Sequence, residues 1–446
     1  MLVETSSSLV REATRRARHL GRPVLASWTT PASREAIGFF ASAAGVQDRA
    51  LWLRPASGDA LAGVGAARTI VGTGAGRFRQ IAATWRDLLR DAVLDGAPGS
   101  GPLLLGGFSF DPARTQPSAL WAGFPDARMV LPERMLQVQE GGAWLVTNVV
   151  VDPEDDFQAP EPRPSTSLTN AESLLSPAAW QALVGSVAHG IRDGQLGPEL
   201  TKVVLARAQQ IEQTRPIDPR SALRYLAASY PSCTVFAIAH GDRCFLGATP
   251  ERLIALHDGT ASTVALAGSG PRGATRAEDE RLAEQLLHDP KERAEHAIVV
   301  GALRDGLGQL CTRVISDTQP QIKQLANVQH LFTPVRGEVV AGVGVLELVE
   351  RLHPTPAVGG FPRQPALQLI RDREALDRGW YAGPIGWLNR AGEGEFVVGI
   401  RSALVDGNSA TLFAGCGIVA DSDPATEYAE SGWKLQPMRA ALGIDE

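Results

Sequence analysis

The sequence is poor in the features that mark several protein classes. Only four cysteines occur in 446 residues, Cys233, Cys244, Cys311 and Cys416, and no two form a CxxC pair. That scarcity argues against a disulfide framework and against a structural zinc site. No run of about 18 apolar residues is present, which excludes a membrane-spanning helix. Basic residues are not in excess: 43 Lys and Arg stand against 49 Asp and Glu, a formal net charge of −6. With no basic block either, nucleic acid is not an expected partner. The segment MLVETSSSLVREATRRARHLGR is too charged to hold the apolar core of a secretory signal. Leu9, Ala13, Ala17 and Leu20 read instead as one face of an amphipathic helix, and a cytoplasmic protein is the expectation.

What is present is ordinary globular composition, 44% hydrophobic and 21% charged. A chain of this length has room for roughly three domains or for one large one. Short apolar runs (PVLASW, RALWLRP, GPLLLGGFSFDP) predict strands in the first 150 residues, and GRFRQIAATWRDLLRDAVLDG predicts a helix ended by glycine. MVLPERMLQVQEGGAWLVTNVVV predicts two strands turning at Gly141-Gly142. Residues 151–176 are rich in proline and acid and lack periodicity, as expected of a surface connection.

Beyond it, Pro177 to about Gly194 reads as a helix, TKVVLARAQQIEQ as a strand, and CTVFAIAHGDRCFLGATPERLIAL as a strand pair turning at Gly241-Asp242. A helical block follows from about Arg276 to Leu310. GPIGWLN, EFVVGIRSALVDG and SATLFAGCGIV read as strands, and a last helix opens at Asp423-Pro424, an N-cap acid followed by proline. The sum is an α+β protein, mostly antiparallel sheet with helices outside.

Several residues could carry chemistry. Glu427, Glu430 and Lys434 are spaced to share one face of the last helix, after a glycine-bearing apolar strand. A solvated charged stripe is the commoner meaning of such spacing. Carboxylates, one or two per site, are natural ligands of Mg²⁺. Glu295 sits where a charged helix turns apolar, and alone it would be a surface residue or a partner of Lys291. Lys202 opens a strand, where snorkelling to solvent is usual. Glu251 follows a strand, where a turn residue is usual.

Together with their surroundings these residues resemble a known family. TKVVLAR, FLGATPERL, LAGSGPRG, KERAEH, HLFTPVRG, LHPTPAVGGFP, GWYAGPIGW, FVVGIRSA, LFAGCGIV and DSDPATEYAESGWK are similar, in order, to the motifs of the chorismate-utilising enzymes. The resemblance runs from about residue 180 to 440. ALAGVGAA and LLLGGFSFDP look like the family's weaker amino-terminal half. It implies one intertwined domain, with residues 1–150 its N-terminal half and 177–446 its chorismate-binding part.

Within the family, Ala357 in His353-Pro354-Thr355-Pro356-Ala357 resembles the isochorismate synthase form; members that also eliminate pyruvate usually carry threonine there. Gly270 in Ser269-Gly270-Pro271-Arg272-Gly273 stands where amine-transferring relatives typically have arginine. The implied activity is Mg²⁺-dependent conversion of chorismate to isochorismate: water adds at ring position 2 as the 4-hydroxyl leaves. The resemblance gives Lys202 as the base that activates water and Glu251 as the acid that protonates the leaving hydroxyl, with His330 beside the ring. Burial would favour the shifts that both roles need. It implies that Glu295, Glu430 and Glu427 bind Mg²⁺, that Arg401 and Tyr381 grip the enolpyruvyl carboxylate, and that Lys434 adds positive charge. Gly268, Gly415 and Gly417 are expected to offer backbone contacts and Ala357 to line the substrate.

For His330 a satisfied core histidine is as good a reading. No glutamine amidotransferase partner is expected, and a monomer is the simpler oligomeric state. Menaquinone is the expected destination of the product, with siderophores and salicylate as others. The rivals are a salicylate synthase, revealed by pyruvate, an anthranilate-type enzyme, revealed by ammonium-dependent product, and a non-catalytic chorismate-binding homologue.

Overall fold

A computed structural model describes residues 2–114, 118–154, 175–325 and 328–444. Most of the proline- and acid-rich connection therefore lies outside the described residues. Among those described, two large sheets form the centre of the molecule. The larger has 12 strands, running from Gly360–Phe361 through Lys202–Glu212, Ser409–Ile418, Ser402–Asp406, Arg243–Thr249 and Thr234–His240. It continues through Asp48–Arg54, Asp59–Val64, Arg134–Gln139, Gly142–Val151 and Val24–Pro31 to Val93–Asp95. Its pairings are antiparallel except the last, where Ala26 lies opposite Val93 in parallel. The second, of 10 strands, runs from Cys311–Ser316 through Val328–Val339, Thr260–Pro271, Arg252–His257 and Gly394–Val398. Pro384–Asn389, Leu103–Phe108, Ala127–Leu131 and Arg68–Gly72 complete it, while Gln321–Gln324 pairs with Val328–Val339. Both sheets draw strands from the first 150 residues and from the remainder.

Inward-facing side chains of the two sheets meet in one core. Trp52, Phe236 and Phe245 come from the larger sheet, Leu105, Phe108 and Phe396 from the smaller. Trp121, on a short 3₁₀ turn, meets Phe245 edge-on at 5.3 Å and stacks on Phe413 at 5.4 Å. A second apolar cluster covers the other face of the larger sheet, where Leu51, Val235, Ala237 and Leu246 pack with Phe40, Leu223, Leu226, Leu435 and Met438. Those last five lie on the helices Ala36–Ser42, Pro219–Ser229 and Pro424–Ala441. The helices Arg77–Leu89, Pro290–Gly308 and Val345–Leu352 pack on the smaller sheet.

Several boundaries differ from the sequence reading, each for a physical reason. The block from Arg276 to Leu310 is two helices, Arg276–His288 and Pro290–Gly308. Pro290 lacks the N–H that an unbroken helix needs, and Asp289 caps the second helix by accepting from Glu292 N at 2.9 Å. The helix Arg77–Leu89 stops well before Gly96, because Val93–Asp95 is drawn into the sheet edge. Gly142 opens its strand rather than closing the turn. In the N-terminal helix Leu2–Leu20, Ala13 and Ala17 are buried while Leu20 is exposed.

The most consequential difference concerns two apolar runs that each read as unbroken strand. FLGATPERLIAL is Arg243–Thr249 in the larger sheet and Arg252–His257 in the smaller. EFVVGIRSALVDG is Gly394–Val398 in the smaller sheet and Ser402–Asp406 in the larger. The two segments stay paired on both sides of the crossing, Gly247 opposite Ser402 and Arg252 opposite Val397. At the crossing itself Val398 N donates to Glu251 O at 3.0 Å and Ala248 N to Arg401 O at 3.2 Å. Glu251 and Arg401 thus sit in a shared seam between the sheets, Arg401 with φ 51°.

Candidate active site

The seam opens into a cleft of roughly 970 Å³. Every residue given a site role from the sequence lines it: Lys202, Glu251, Gly268, Glu295, His330, Ala357, Tyr381, Arg401, Gly415, Gly417, Glu427, Glu430 and Lys434. They arrive from strands, helices and loops of both sheets, so only the folded chain brings them together.

Lys202 does not snorkel. At the first position of its strand it is 1% exposed, and its Nζ lies 2.5 Å from Glu295 Oε1 on the helix Pro290–Gly308. A Cβ at position 417, on the neighbouring strand, would come within 2.7 Å of Lys202 Cε. Glycine there makes room for the lysine. Gly415 is used differently, since its carbonyl accepts from Lys434 Nζ at 2.9 Å. Gly268, with φ +79°, lies where the pairing of its strand shifts register.

Glu251 is buried in the seam. Burial raises its carboxyl to about 7, against the opposing pull of Lys202 and Arg401. His330 is not a satisfied core histidine. Its Nδ1 lies 2.8 Å from Ser269 Oγ, but its buried Nε2 has no hydrogen-bond partner among the described residues. Burial, with Arg401 and Lys434 nearby, pushes its pKa well below the usual range, so the imidazole is neutral. Tyr381 stacks on Phe413 at 5.1 Å, and burial pushes its phenol up to about 12.

The last helix brings Glu427, Glu430 and Lys434 to the cleft. Lys434 Nζ is 2.6 Å from Glu430 Oε1. Burial opposes the charge on Glu430, yet Lys434 holds its pKa below the usual value. Burial and then the Glu430 charge raise Glu427 to about 7. Glu427 also accepts from Ser422 Oγ at 2.8 Å.

These carboxylates suit a hard divalent cation. Oxygen atoms of Glu427 and Glu430 and the Cys416 sulfur all lie within 4.8 Å of one another. Burial pushes the Cys416 thiol up to about 12, and it donates to Glu427 O, so the ready donors are oxygens. Crowding that raises Glu427 is what a dication would relieve. Glu295 and Glu430 are at present held by lysines.

Sequence reasoning missed four cleft residues. Glu292 lies one turn before Glu295, accepts from Ser269 N at 2.9 Å, and is raised by burial and then by Glu295. Its i, i+3 spacing to Glu295 was an available clue. Ser269 was quoted in a motif without its pairing to His330, and Lys291 was weighed only as a partner for Glu295. Arg378 forms a buried pair with Glu374 at 2.6 Å, an i, i+4 spacing that carries no signal for a cleft wall.

Comparison with known proteins agrees with this architecture. The chain is 40% identical over 408 residues to the salicylate biosynthesis isochorismate synthase of Pseudomonas aeruginosa, covering 86% of this chain and 83% of that protein. It is 38% identical over 358 residues to isochorismate synthase MenF of Bacillus subtilis, covering 77% and 75%. Among solved structures, the menaquinone-specific isochorismate synthase MenF from Escherichia coli superposes with a TM-score of 0.77 at 25% identity, covering 98% of this chain and 99% of that one. Residues 11–443 match the family model described as chorismate binding enzyme, and the chain belongs to that family.

Proposed function

We propose that this protein is an isochorismate synthase, an isomerase that moves a hydroxyl group around the ring of chorismate. The observation that carries the reading is the pairing of Lys202 with Glu251: both are buried, and both line one cleft. Water is a poor nucleophile and hydroxide a poor leaving group, so the reaction needs a base and an acid. Lys202 Nζ, as the neutral amine with its link to Glu295 released, takes a proton from the water that adds at ring position 2. Glu251, with a pKa of about 7, gives a proton to the departing 4-hydroxyl, which leaves as water. A proton returned from Lys202 to Glu251 through solvent resets the pair.

Arg401 and Tyr381 grip the enolpyruvyl carboxylate; a planar guanidinium matches two carboxylate oxygens. Lys434 adds positive charge beside the ring carboxylate. Neutral His330 offers Nε2 to a ring hydroxyl and fixes the ring's orientation. Glu295, Glu430 and Glu427 would hold Mg²⁺, which when bound supplies charge for the ring carboxylate and polarises the diene.

Ala357 on the cleft wall supports release of isochorismate rather than further elimination of pyruvate. Water as the nucleophile calls for no amidotransferase partner, and a cytoplasmic monomer is the form proposed. Supply to menaquinone is supported by the likeness to proteins named MenF. The test is chromatography of products from chorismate, with and without Mg²⁺ and with and without ammonium. Isochorismate alone, only with Mg²⁺, is expected. Salicylate with pyruvate, or an amine product, would overturn the reading in favour of a relative; unchanged chorismate would leave a binding protein.

A further inference from the structure

The strand Thr260–Pro271 carries a bulge beside the cleft, and the bulge decides which side chain His330 meets. Leu266 stands opposite Phe332 and Ser269 opposite His330, so over this stretch the strand has one residue more than its partner Val328–Val339. In an unbroken ladder position 268 would stand opposite His330 instead. Side chains directly opposite one another share a face of the sheet, and Ser269 Oγ accordingly lies 2.8 Å from His330 Nδ1. The bulge is held from several directions. Gly268 takes φ +79°, and a Cβ there would lie 3.0 Å from Leu331 Cδ1 and 3.2 Å from Glu292 O. Ala267 O lies 3.0 Å from Nδ1 of the buried His296, whose Nε2 lies 2.7 Å from Thr333 Oγ1. Ser269 N donates to Glu292 Oε2 at 2.9 Å. Glu292 and His296 both belong to the helix Pro290–Gly308, so helix and bulge are tied at two points.

The Ser269 hydroxyl has one hydrogen to give, and among the described residues its side-chain partner is His330 Nδ1. A neutral imidazole carries one proton and accepts at its other nitrogen. With the proton on Nδ1, the hydroxyl would accept it, and its own hydrogen would be left without an acceptor in the protein. That is a cost in a half-buried site. With the hydroxyl donating to Nδ1, the ring proton sits on Nε2. His330 lines the cleft, and Nε2 is the ring nitrogen left over for a ligand.

We propose that Ser269 is a positioning residue for His330: its hydroxyl donates to Nδ1, so that the ring presents an N–H at Nε2 and can only donate to the substrate. This rests on the reading of His330 as a group that touches the chorismate ring. The oxygens of chorismate are carboxylate, ether and hydroxyl, and all of them can accept. The opposite tautomer would set a nitrogen lone pair against them. With its proton on Nε2, His330 joins the neighbouring Arg401 and Lys434 in a cleft wall made of donors. The bulge, by placing a hydroxyl opposite the histidine, makes this choice before the substrate arrives.

The test compares Ser269→Ala and Ser269→Thr with the parent in the full chain supplied with Mg²⁺. Ser269→Ala is expected to lower kcat/KM for chorismate on the order of tenfold, and Ser269→Thr, which keeps the hydroxyl, to stay near the parent. Nuclear magnetic resonance of isotope-labelled histidine reads the tautomer directly, with the His330 signal assigned by its loss in His330→Gln. The nitrogen shifts should show Nε2–H in the parent and in Ser269→Thr, and a mixture of tautomers in Ser269→Ala. In a His330→Gln background, Ser269→Ala should cost nothing further, because it acts through the ring. A proton found on Nδ1 in the parent, turned to the Gly268 carbonyl that also faces the ring, would overturn the proposal. Unmoved shifts in Ser269→Ala would do the same, as would losses that multiply in the double variant. The shifts are read without substrate, so they decide the role of Ser269 even if chorismate yields another product, the result that would remove the proposed activity.

Discussion

Two sets of ion pairs stand close together in this molecule and are built on opposite principles. Arg378 and Glu374 are buried, and most of their hydrogen-bonding capacity is taken up by the fold. Arg378 grips Glu374 through Nε at 2.6 Å and Nη2 at 2.7 Å, and reaches the carbonyls of Val358 and Val204. Glu374 Oε2 accepts in addition from Ala206 N at 2.8 Å. The cleft pairs, Lys202–Glu295 and Lys434–Glu430, are single contacts with lone pairs and protons to spare. A saturated buried pair locks a backbone in place; an unsaturated one keeps valence available for a ligand. Sign and distance alone do not separate structural charge from functional charge. What each partner has left over does.

The comparison breaks most visibly at Lys202. Lys202→Ala should reduce isochorismate formation by about a thousandfold or more while leaving the urea midpoint near the parental value. Retained activity would remove Lys202 from the base role. Arg378→Met should do the reverse in kind, lowering stability by about 3–5 kcal/mol because Glu374 is left buried without its cation. Adding Glu374→Leu should recover much of that loss in the same urea titration, and no recovery would mean the arginine acts through packing alone. Glu430→Gln should raise the Mg²⁺ concentration needed for binding, read by calorimetry, by about tenfold or more. An unchanged titration would point to Glu295 and Glu427 as sufficient.

The finest contrast is with pH. Glu251 has a folded-state pKa of about 7 against 4.5 for the ordinary carboxyl. The folded state therefore holds a proton across that window that the unfolded chain releases. Its contribution to stability is full below the lower value and falls away as pH rises toward the upper. Glu251→Gln, which cannot ionise, should gain on the parent as pH rises through the window, by up to about 3 kcal/mol. Parallel stability curves for the two would show that Glu251 is not held protonated by the fold.

Much of this was legible in the sequence because the motifs are local. Lys202 opening an apolar strand, the helix-face spacing of Glu427, Glu430 and Lys434, and the glycines before them are readable within a few turns or strand residues. The sheet crossings were not, since FLGATPERLIAL and EFVVGIRSALVDG are apolar on both sides of the seam and periodicity does not record a change of sheet. The burial of Lys202 was equally hidden, because it depends on Gly417 and Glu295, both distant in sequence.

The order of strands bears on how the molecule is made. Among the described residues, Lys202–Glu212 joins the larger part of its sheet only through Ser409–Ile418, a strand synthesised some 200 residues after it. A nascent chain can pair Thr234–His240 with Arg243–Thr249 early, but it holds the lysine-bearing strand without that neighbour until Ser409–Ile418 emerges from the ribosome. The helix that carries Glu427, Glu430 and Lys434 follows later still. Competence for catalysis is thus acquired only once residues 409–441 have emerged, and a chain stopped before them presents an open strand edge to chaperones and proteases instead of a cleft.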